Sequence, residues 1–329
     1  MTRAPDRADH LVDGIRTGDR RSLARAITLA ESTRADHREI ADEVLEAVLP
    51  ATGGATRVGI SGPPGVGKST FIEVFGLHVL DEGHRLAVLA VDPSSRRSGG
   101  SILGDKTRMG ELSNRPGAFI RPSPGGGQLG GVARRTREAM LLCEAAGFDV
   151  VLVETIGVGQ SEVAVADMVD LFALLVAPGG GDELQGIKRG IMELADLVVV
   201  NKADGDLAPA AGRTRADYAS AVHLLRPKWR GWATEVLAVS ALAGTGIAEV
   251  WEAIERFRAA VEADGELDAA RAGQATAWLW SEVGDTLLDR FRADPAVAAE
   301  LPALEADVAA GRIAPTRAAR HLLDAFAER

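Results

Sequence analysis

The 329-residue chain is 46% apolar and 26% charged, a balance typical of globular proteins, and it is long enough for one large domain with additions or for two domains. It has no run of about 18 apolar residues and no apolar signal segment near its amino terminus, so we expect a cytoplasmic protein without a membrane span. The formal charge of −10 and the shortness of the basic clusters argue against nucleic acid as a partner, and the single cysteine, Cys143, excludes an intrachain disulfide.

Residues 1–55 are predicted to form a helical extension. Ile40, Val44 and Val48 recur at the spacing of one helix face. Pro50 and the glycine-containing segment "TGGAT" after it end the helix. This extension therefore precedes the main domain and has its own apolar stripe.

Short apolar runs alternate with segments of helical spacing from residue 56 onward. The runs occupy residues 57–61, 85–91, 118–121, 148–154, 170–177, 195–201 and 235–241. Continuous apolar strands indicate a sheet that is covered by helices on both faces, which is the pattern of parallel strands. We therefore predict a doubly wound, mostly parallel α/β domain over residues 56–258.

Residues 259–329 are predicted to form a second helical extension. Val283, Leu287, Leu288 and Phe291 repeat at helical spacing. Such a stripe must be buried against the protein's own sheet or against a second copy of the chain.

A phosphate-binding loop follows the first predicted strand. The segment "GPPGVGKST" matches G-x-x-x-x-G-K-[ST] and precedes an apolar helix, which is the context that this motif requires. Its backbone N–H groups are expected to cradle phosphates, Lys68 to reach the β- and γ-phosphates, and the Ser69 hydroxyl to bind Mg²⁺. The predicted nucleotide-binding residues of this loop are Gly62, Pro63, Pro64, Gly65, Val66, Gly67, Lys68, Ser69 and Thr70.

A second loop predicts which base is bound. "NKAD" (201–204) lies at the carboxyl end of an apolar strand, where open α/β sheets bind ligands. The Asp204 carboxylate can accept two hydrogen bonds from guanine, whereas adenine would leave it unpaired. We expect Asn201 to join this loop to the phosphate loop and Lys202 to cover the base. The segment "SAL" after the next strand, Ser240, Ala241 and Leu242, is expected to contact the guanine oxygen through its backbone.

Three acidic residues are candidate Mg²⁺ ligands. Asp92 and Glu154 follow apolar strands directly, and Asp105 lies in a glycine- and serine-rich stretch. Because protein-bound Mg²⁺ keeps several waters and takes one or two carboxylates directly, some of the three would act through water.

Three loops are candidates for sensing the nucleotide state. Residues 94–109 mix glycine, serine and charge, as expected of a segment that orders over a γ-phosphate. Residues 178–190 form a charged, glycine-rich loop that is either a partner contact or a plain surface loop. The residues predicted to sense the nucleotide or a partner are Lys106, Arg108, Gln160, Asp182 and Lys188.

The third loop, "VETIGVGQSE" (153–162), resembles the γ-phosphate-sensing loop of GTP-dependent switches. Glu154 replaces the usual Asp, Gly157 keeps a backbone N–H for the γ-phosphate, and Val158 replaces the Gln that positions the attacking water. Lys68, Glu154 and Gly157 are therefore the predicted catalytic residues. Without a residue that positions water, intrinsic turnover is expected to be slow until a partner orders the loops.

These segments together resemble the MeaB family. The shared segments are "GPPGVGKST", "VDPSS…GGSILGDKTRM", "VETIGVGQSE", "NKADGD" and "SALAGTGI", in order and spacing over about residues 10–260. The resemblance implies a GTPase that accompanies methylmalonyl-CoA mutase or a related cobalamin-dependent mutase. Such a protein gates cobalamin loading and protects the mutase from inactivation, with GTP or GDP and Mg²⁺ as ligands. It also implies a homodimer joined through the C-terminal helices.

Other functions stay open at this point. A GTPase metallochaperone for another metalloenzyme would need clusters of His and Cys, and this chain has only six scattered His and one Cys. A transport-associated ATPase or kinase, suggested by the older name ArgK for relatives, would not need "NKAD". A preference for ATP over GTP would favour it.

Overall fold

The computed structural model describes residues 8–91, 109–122, 129–155, 161–179 and 189–327. Within these ranges, seven strands form one sheet in which each strand is parallel to its neighbours. The strands are β1 (Thr56–Ser61), β2 (Leu86–Val91), β3 (Ala118–Arg121), β4 (Val150–Thr155), β5 (Leu171–Val176), β6 (Leu197–Val200) and β7 (Glu235–Ala238). Their order across the sheet is β3-β2-β4-β1-β5-β6-β7.

Each strand coincides with one of the predicted apolar runs, apart from residues at the strand ends. The chain moves from β1 toward one edge through β2 and β3, returns to β4, and then crosses β1 to build the other edge from β5, β6 and β7. This order is doubly wound, so the predicted fold class is confirmed.

Helices cover the sheet and form both ends of the described chain. They are α1 (Ala8–Arg16), α2 (Arg20–Ala30), α3 (Ala35–Val48), α4 (Lys68–Asp81), α5 (Gly110–Asn114), α6 (Leu129–Ala145), α7 (Ser161–Ala166), α8 (Arg189–Leu194), α9 (Ala208–His223), α10 (Ile247–Ala263), α11 (Glu266–Ala293), α12 (Pro295–Ala309) and α13 (Pro315–Ala327). Across the ranges that the structure describes, none of them has the length and apolarity needed to span a membrane.

Alternate side chains of the central strands enter two different apolar cores. Val58 and Ile60 of β1 belong to the core that contains α4 and α10. Val151 and Val153 of β4 belong to the core that contains α1–α3, α6 and α7. Both faces of the sheet are therefore covered, which explains why the strands are continuous apolar runs.

The N-terminal helices pack onto α6. Asp19 caps α2 by accepting hydrogen bonds from the backbone N–H groups of Arg21 at 3.3 Å and Ser22 at 2.9 Å. Arg38 of α3 donates to both carboxylate oxygens of the buried Glu138 of α6, each at 2.9 Å. Apolar burial and a bidentate ion pair thus hold this extension against the sheet domain.

Buried charges cluster at the amino ends of β1 and β5. The Arg57 side chain donates to Glu144 at 2.5 Å, and the Arg57 backbone N–H donates to Asp170 at 2.9 Å. Arg271 of α11 contacts the same Asp170 through two hydrogen bonds of 2.7 and 2.8 Å. The start of α11 is therefore joined to the two strands that lie at the centre of the sheet.

The chain divides into two compact units, Met1–Gln274 and Ala275–Arg329, and the division falls within α11. In the second unit, Asp294 caps α12 by accepting from the Ala296 N–H at 2.8 Å. The rings of Phe291 and Phe326 lie 5.4 Å apart, edge to face. The domain bounds 1–55, 56–258 and 259–329 stay a prediction about functional parts of the chain.

Candidate functional site

The predicted phosphate loop joins β1 to α4. Gly62 follows β1 directly, and a Cβ at this position would collide with the Leu175 carbonyl group. Gly67 ends the loop with φ of 94°, and a Cβ there would lie 2.8 Å from Asn201 Nδ2. The path of the loop therefore requires glycine at both positions, because close approach and a left-handed backbone each exclude a side chain.

The Lys68 ammonium lies over this loop. Its Nζ donates to the Gly62 carbonyl oxygen at 2.7 Å and to that of Pro63 at 3.4 Å. Burial lowers the pKa of Lys68, and the charges of Glu154 and Glu162 oppose that shift. The ammonium is thus held against the loop backbone, and the negative charges of Glu154 and Glu162 favour its protonated form.

Glu154 and Ser69 meet across the carboxyl edge of the sheet. Glu154 is 4% exposed, and its Oε1 lies 3.5 Å from the Ser69 hydroxyl on the first turn of α4. This pair offers the hard oxygen donors that Mg²⁺ takes in proteins, so the residues present fit the predicted ion. Asp92 directly follows Val91, which is paired with Thr155 in the sheet, but Asp92 itself lies outside the described residues.

Asn201 holds two loops together. It is 2% exposed and follows β6. Its Nδ2 donates to the Val66 carbonyl oxygen at 2.9 Å, and its Oδ1 accepts from the Ala241 N–H at 3.1 Å. One buried amide therefore joins the phosphate loop to the segment after β7.

Lys202 and Asp204 complete this loop. Lys202 has a left-handed backbone with φ of 58°, and its Nζ donates to the Gly65 carbonyl oxygen at 2.7 Å. The Ser240 hydroxyl donates to Asp204 Oδ1 at 2.6 Å and accepts from the Ala243 N–H at 3.0 Å. Asp204 is consequently oriented by a buried serine, a role of Ser240 that the sequence alone did not suggest.

The structure brings together the predicted residues of the phosphate loop, "NKAD" and "SAL". Ala241 is buried, whereas Leu242 is 83% exposed and Thr70 is exposed. The remaining predicted residues fall outside the described ranges, namely Asp92, Asp105, Lys106, Arg108, Gly157, Gln160, Asp182 and Lys188.

Three further residues of the site were missed. Glu162 on α7 is fully buried, and its charge acts on Lys68. Ser61 and Thr155 end β1 and β4, and their hydroxyls are hydrogen-bonded. No local pattern marked the Thr155–Ser61 pair, because the two residues are 94 positions apart in the chain.

The doubly wound sheet, the phosphate loop and the "NKAD" loop define the class of P-loop GTPases. Residues 23–296 match the family described as "Methylmalonyl Co-A mutase-associated GTPase MeaB". The chain belongs to the MeaB family of GTPases.

Similar proteins agree with this placement. A Caulobacter vibrioides protein named as a GTPase is 58% identical over 97% of both chains. The mouse "Methylmalonic aciduria type A homolog, mitochondrial" is 52% identical over 98% of this chain and 80% of its own. The solved structure of a protein named "LAO/AO transport system kinase" is 39% identical, covers 98% of both chains and superposes with a TM-score of 0.76.

The two hydrogen bonds of Asn201 generate a stability prediction. Asn201→Ala would leave the Val66 carbonyl and the Ala241 N–H buried without this partner, so we expect the free energy of unfolding to fall by about 2–4 kcal/mol. Urea unfolding without nucleotide measures the loss. Asn114→Ala is the matched control, because the exposed Asn114 amide makes one local bond to Gly110 and its removal is expected to cost less than about 0.5 kcal/mol. Equal losses in the two variants would contradict the structural role of Asn201.

Proposed function

We propose that this GTPase is a chaperone of methylmalonyl-CoA mutase or a related cobalamin-dependent mutase. In this role it gates cobalamin loading and protects the mutase from inactivation. The observation that carries the proposal is the family match over residues 23–296, since that family is described by its association with the mutase. The name of the mouse relative, which refers to methylmalonic aciduria, supports the same metabolic setting. We further propose that the protein acts in the cytoplasm, on the compositional grounds given above.

In the proposed reaction, water attacks the γ-phosphate of GTP. The Lys68 ammonium, which lies against the Gly62 carbonyl, would neutralise charge on the β- and γ-phosphate oxygens. The N–H groups of the loop that ends at Gly67 would hold the phosphates, and the positive end of α4 would add to that attraction.

Ser69 and Glu154 would hold Mg²⁺, with Asp92 and Asp105 contributing directly or through water. The support is the 3.5 Å approach of the Ser69 hydroxyl to the buried Glu154 carboxylate. When bound, Mg²⁺ supplies positive charge that offsets the negative charge of the phosphate oxygens. The carboxylate of Glu154, held at the end of β4, would set where that charge is placed.

Asp204 would recognise guanine through two hydrogen bonds. Its orientation by Ser240 at 2.6 Å supports this role, because a carboxylate held in one position loses less entropy when the base binds. Lys202 would cover the base, and the backbone of Ser240, Ala241 and Leu242 would contact the guanine oxygen.

Partner control is proposed for the loops around this site. Val158 cannot orient water, so intrinsic hydrolysis would be slow. Binding of the mutase would order the loops that carry Lys106, Arg108, Gln160, Asp182 and Lys188, and Gly157 would meet the γ-phosphate. The GTP-bound state would then persist until the partner arrives.

We propose a homodimer formed by an apolar stripe on the second half of α11. The stripe consists of Leu279, Trp280, Val283, Leu287 and Leu288, whose exposed fractions range from 37% for Val283 to 69% for Trp280. Their spacing places them along one side of the helix. An exposed helical stripe of this size is typical of a surface that a second protein covers.

The guanine assignment predicts nucleotide selectivity. We expect the wild-type protein to bind GTP at least 100-fold more tightly than ATP, and Asp204→Asn to weaken GTP binding by at least tenfold, because the amide cannot accept both guanine hydrogen bonds. Fluorescent nucleotide titration measures both. Asp206→Asn, an exposed change two residues further on, is the matched control. A preference for ATP would instead favour the kinase activity after which the similar protein of solved structure is named.

The chaperone proposal predicts activation by the partner. We expect methylmalonyl-CoA mutase to raise the rate of GTP hydrolysis at least tenfold, because ordered loops would supply the groups that the isolated site lacks. Phosphate release with and without purified mutase measures this effect. An unrelated protein at equal concentration should change nothing, and Lys68→Ala should abolish turnover in both conditions. Equal rates with and without the mutase would refute partner control.

The dimer proposal predicts a change in mass. We expect Val283→Asp combined with Leu287→Asp to convert the dimer into a monomer, because a desolvated carboxylate in an apolar interface is unfavourable. Sedimentation equilibrium measures the mass. Leu224→Asp is the matched control, since Leu224 is 85% exposed but lies outside the α11 stripe. A wild-type monomer, or a dimer that survives the double change, would contradict this proposal.

A further inference from the structure

A buried pair of hydroxyls joins the ends of β1 and β4. The Thr155 hydroxyl donates to Ser61 Oγ at 2.8 Å, and the two residues are 0% and 1% exposed. Thr155 is the last residue of β4, and Ser61 is the last residue of β1. The pair therefore lies at the carboxyl edge of the sheet, where both strands lead into loops.

The hydroxyl pair extends the contact between β1 and β4 beyond the last residues of their backbone register. The backbone register between β1 and β4 ends with Ile60 opposite Glu154. Ser61 and Thr155 are the next residues on each strand, and a hydrogen bond between their side chains joins the two strands there. Thr155 is β-branched and has few rotamers, so its hydroxyl is restricted to a few directions.

Each partner of the pair is next to a residue of the proposed reaction. Thr155 follows Glu154, whose Oε1 lies 3.5 Å from the Ser69 hydroxyl. Ser61 precedes Gly62, whose carbonyl oxygen accepts from Lys68 Nζ at 2.7 Å. The Thr155–Ser61 bond thus links the backbone that carries Glu154 to the backbone that holds the Lys68 ammonium.

The Glu154–Ser69 contact and the Thr155–Ser61 hydrogen bond lie on opposite faces of the sheet. Ile60 and Leu152 enter the core with α4, so Glu154, two residues after Leu152, faces α4 and reaches Ser69. Val153 enters the other core, and Thr155 shares its face. Because the hydroxyl pair is on the face away from Ser69, it can restrain the strand end without occupying the space of a ligand.

We propose that Thr155 and Ser61 are positioning residues for GTP hydrolysis. Their hydrogen bond fixes the strand ends so that Glu154 and Lys68 keep their separation while the phosphates react. This inference rests on the proposed roles of Lys68, Ser69 and Glu154. Small displacements of such groups reduce rates strongly, because catalysis of phosphoryl transfer consists mainly of positioning and electrostatic stabilisation.

The substitution Thr155→Val removes the hydroxyl group and keeps a β-branched side chain of similar shape. We expect Thr155→Val to lower the single-turnover rate of GTP hydrolysis about tenfold, equal to about 1.4 kcal/mol in the barrier. It should raise the Mg²⁺ concentration for half-maximal rate and leave GDP affinity within about twofold. Thr155→Ser, which retains the hydroxyl, should restore most of the rate.

A double-mutant cycle identifies the partner. Ser61→Ala should reduce the rate as Thr155→Val does, and the double variant should be no slower than either single variant, because both remove the same bond. Additive losses would overturn the pairing. Ser61→Ala also keeps the test decisive if Thr155→Val does not fold.

Thr234→Val is the matched control for loss of a hydroxyl. The Thr234 hydroxyl donates to the Ala195 carbonyl oxygen at 2.8 Å, just before β7 and away from the carboxyl edge. This change should lower the melting temperature and leave the hydrolysis rate unchanged. If Thr155→Val lowers the melting temperature but keeps the wild-type rate, the pair is structural only and the proposal is wrong.

The site assignment itself is tested separately. Lys68→Ala and Glu154→Gln should each abolish most hydrolysis. If they do so while Thr155→Val retains the wild-type rate, only the positioning role fails. If they leave the rate unchanged, the proposed roles of Lys68 and Glu154 fail, whatever Thr155→Val does.

Discussion

The parallel direction of the described strands is the constraint on which the rest of this structure depends. Because β1, β4 and β6 all point the same way, their carboxyl ends meet at one edge of the sheet. Segments 135 residues apart in sequence therefore touch there, as in the hydrogen bond from Asn201 to Val66. The same direction requires a crossover after every strand, and those crossovers supply the helices that bury both faces of the sheet.

Buried charges at the amino-terminal ends of the strands are paired. Asp170 and Glu144 are nearly inaccessible, and each has an arginine partner, Arg271 and Arg57 respectively. Unpaired carboxylates in this position would be costly to desolvate, whereas each of these two keeps a charged partner where it is buried. At the carboxyl ends of the strands, two opposing effects act on Lys68. Burial lowers the pKa of its ammonium group, and the charges of Glu154 and Glu162 raise it. The ammonium is held there by carbonyl oxygens and by nearby negative charge.

The site combines residues of two kinds. Lys68, Glu154 and Asp204 have chemistry that can act on a nucleotide, whereas Asn201 and Ser240 bond to other parts of the site. Supporting residues such as Asn201 and Ser240 determine how precisely the nucleotide-facing side chains are placed. The Thr155–Ser61 pair extends this division to the strands that carry Glu154 and the phosphate loop.

The sequence by itself determined the seven strands, the phosphate loop and the "NKAD" loop, because apolar periodicity and glycine spacing are local properties of the chain. It also predicted that Asn201 would touch the phosphate loop, since both segments follow strands of a predicted parallel sheet and ligands bind at the carboxyl ends of such strands. The tertiary structure alone decided that Ser240 bonds to Asp204, that Glu162 is buried near Lys68, and that Thr155 pairs with Ser61. These contacts join residues far apart in the chain, so no local pattern encodes them; they arise only when parallel strands set distant side chains side by side.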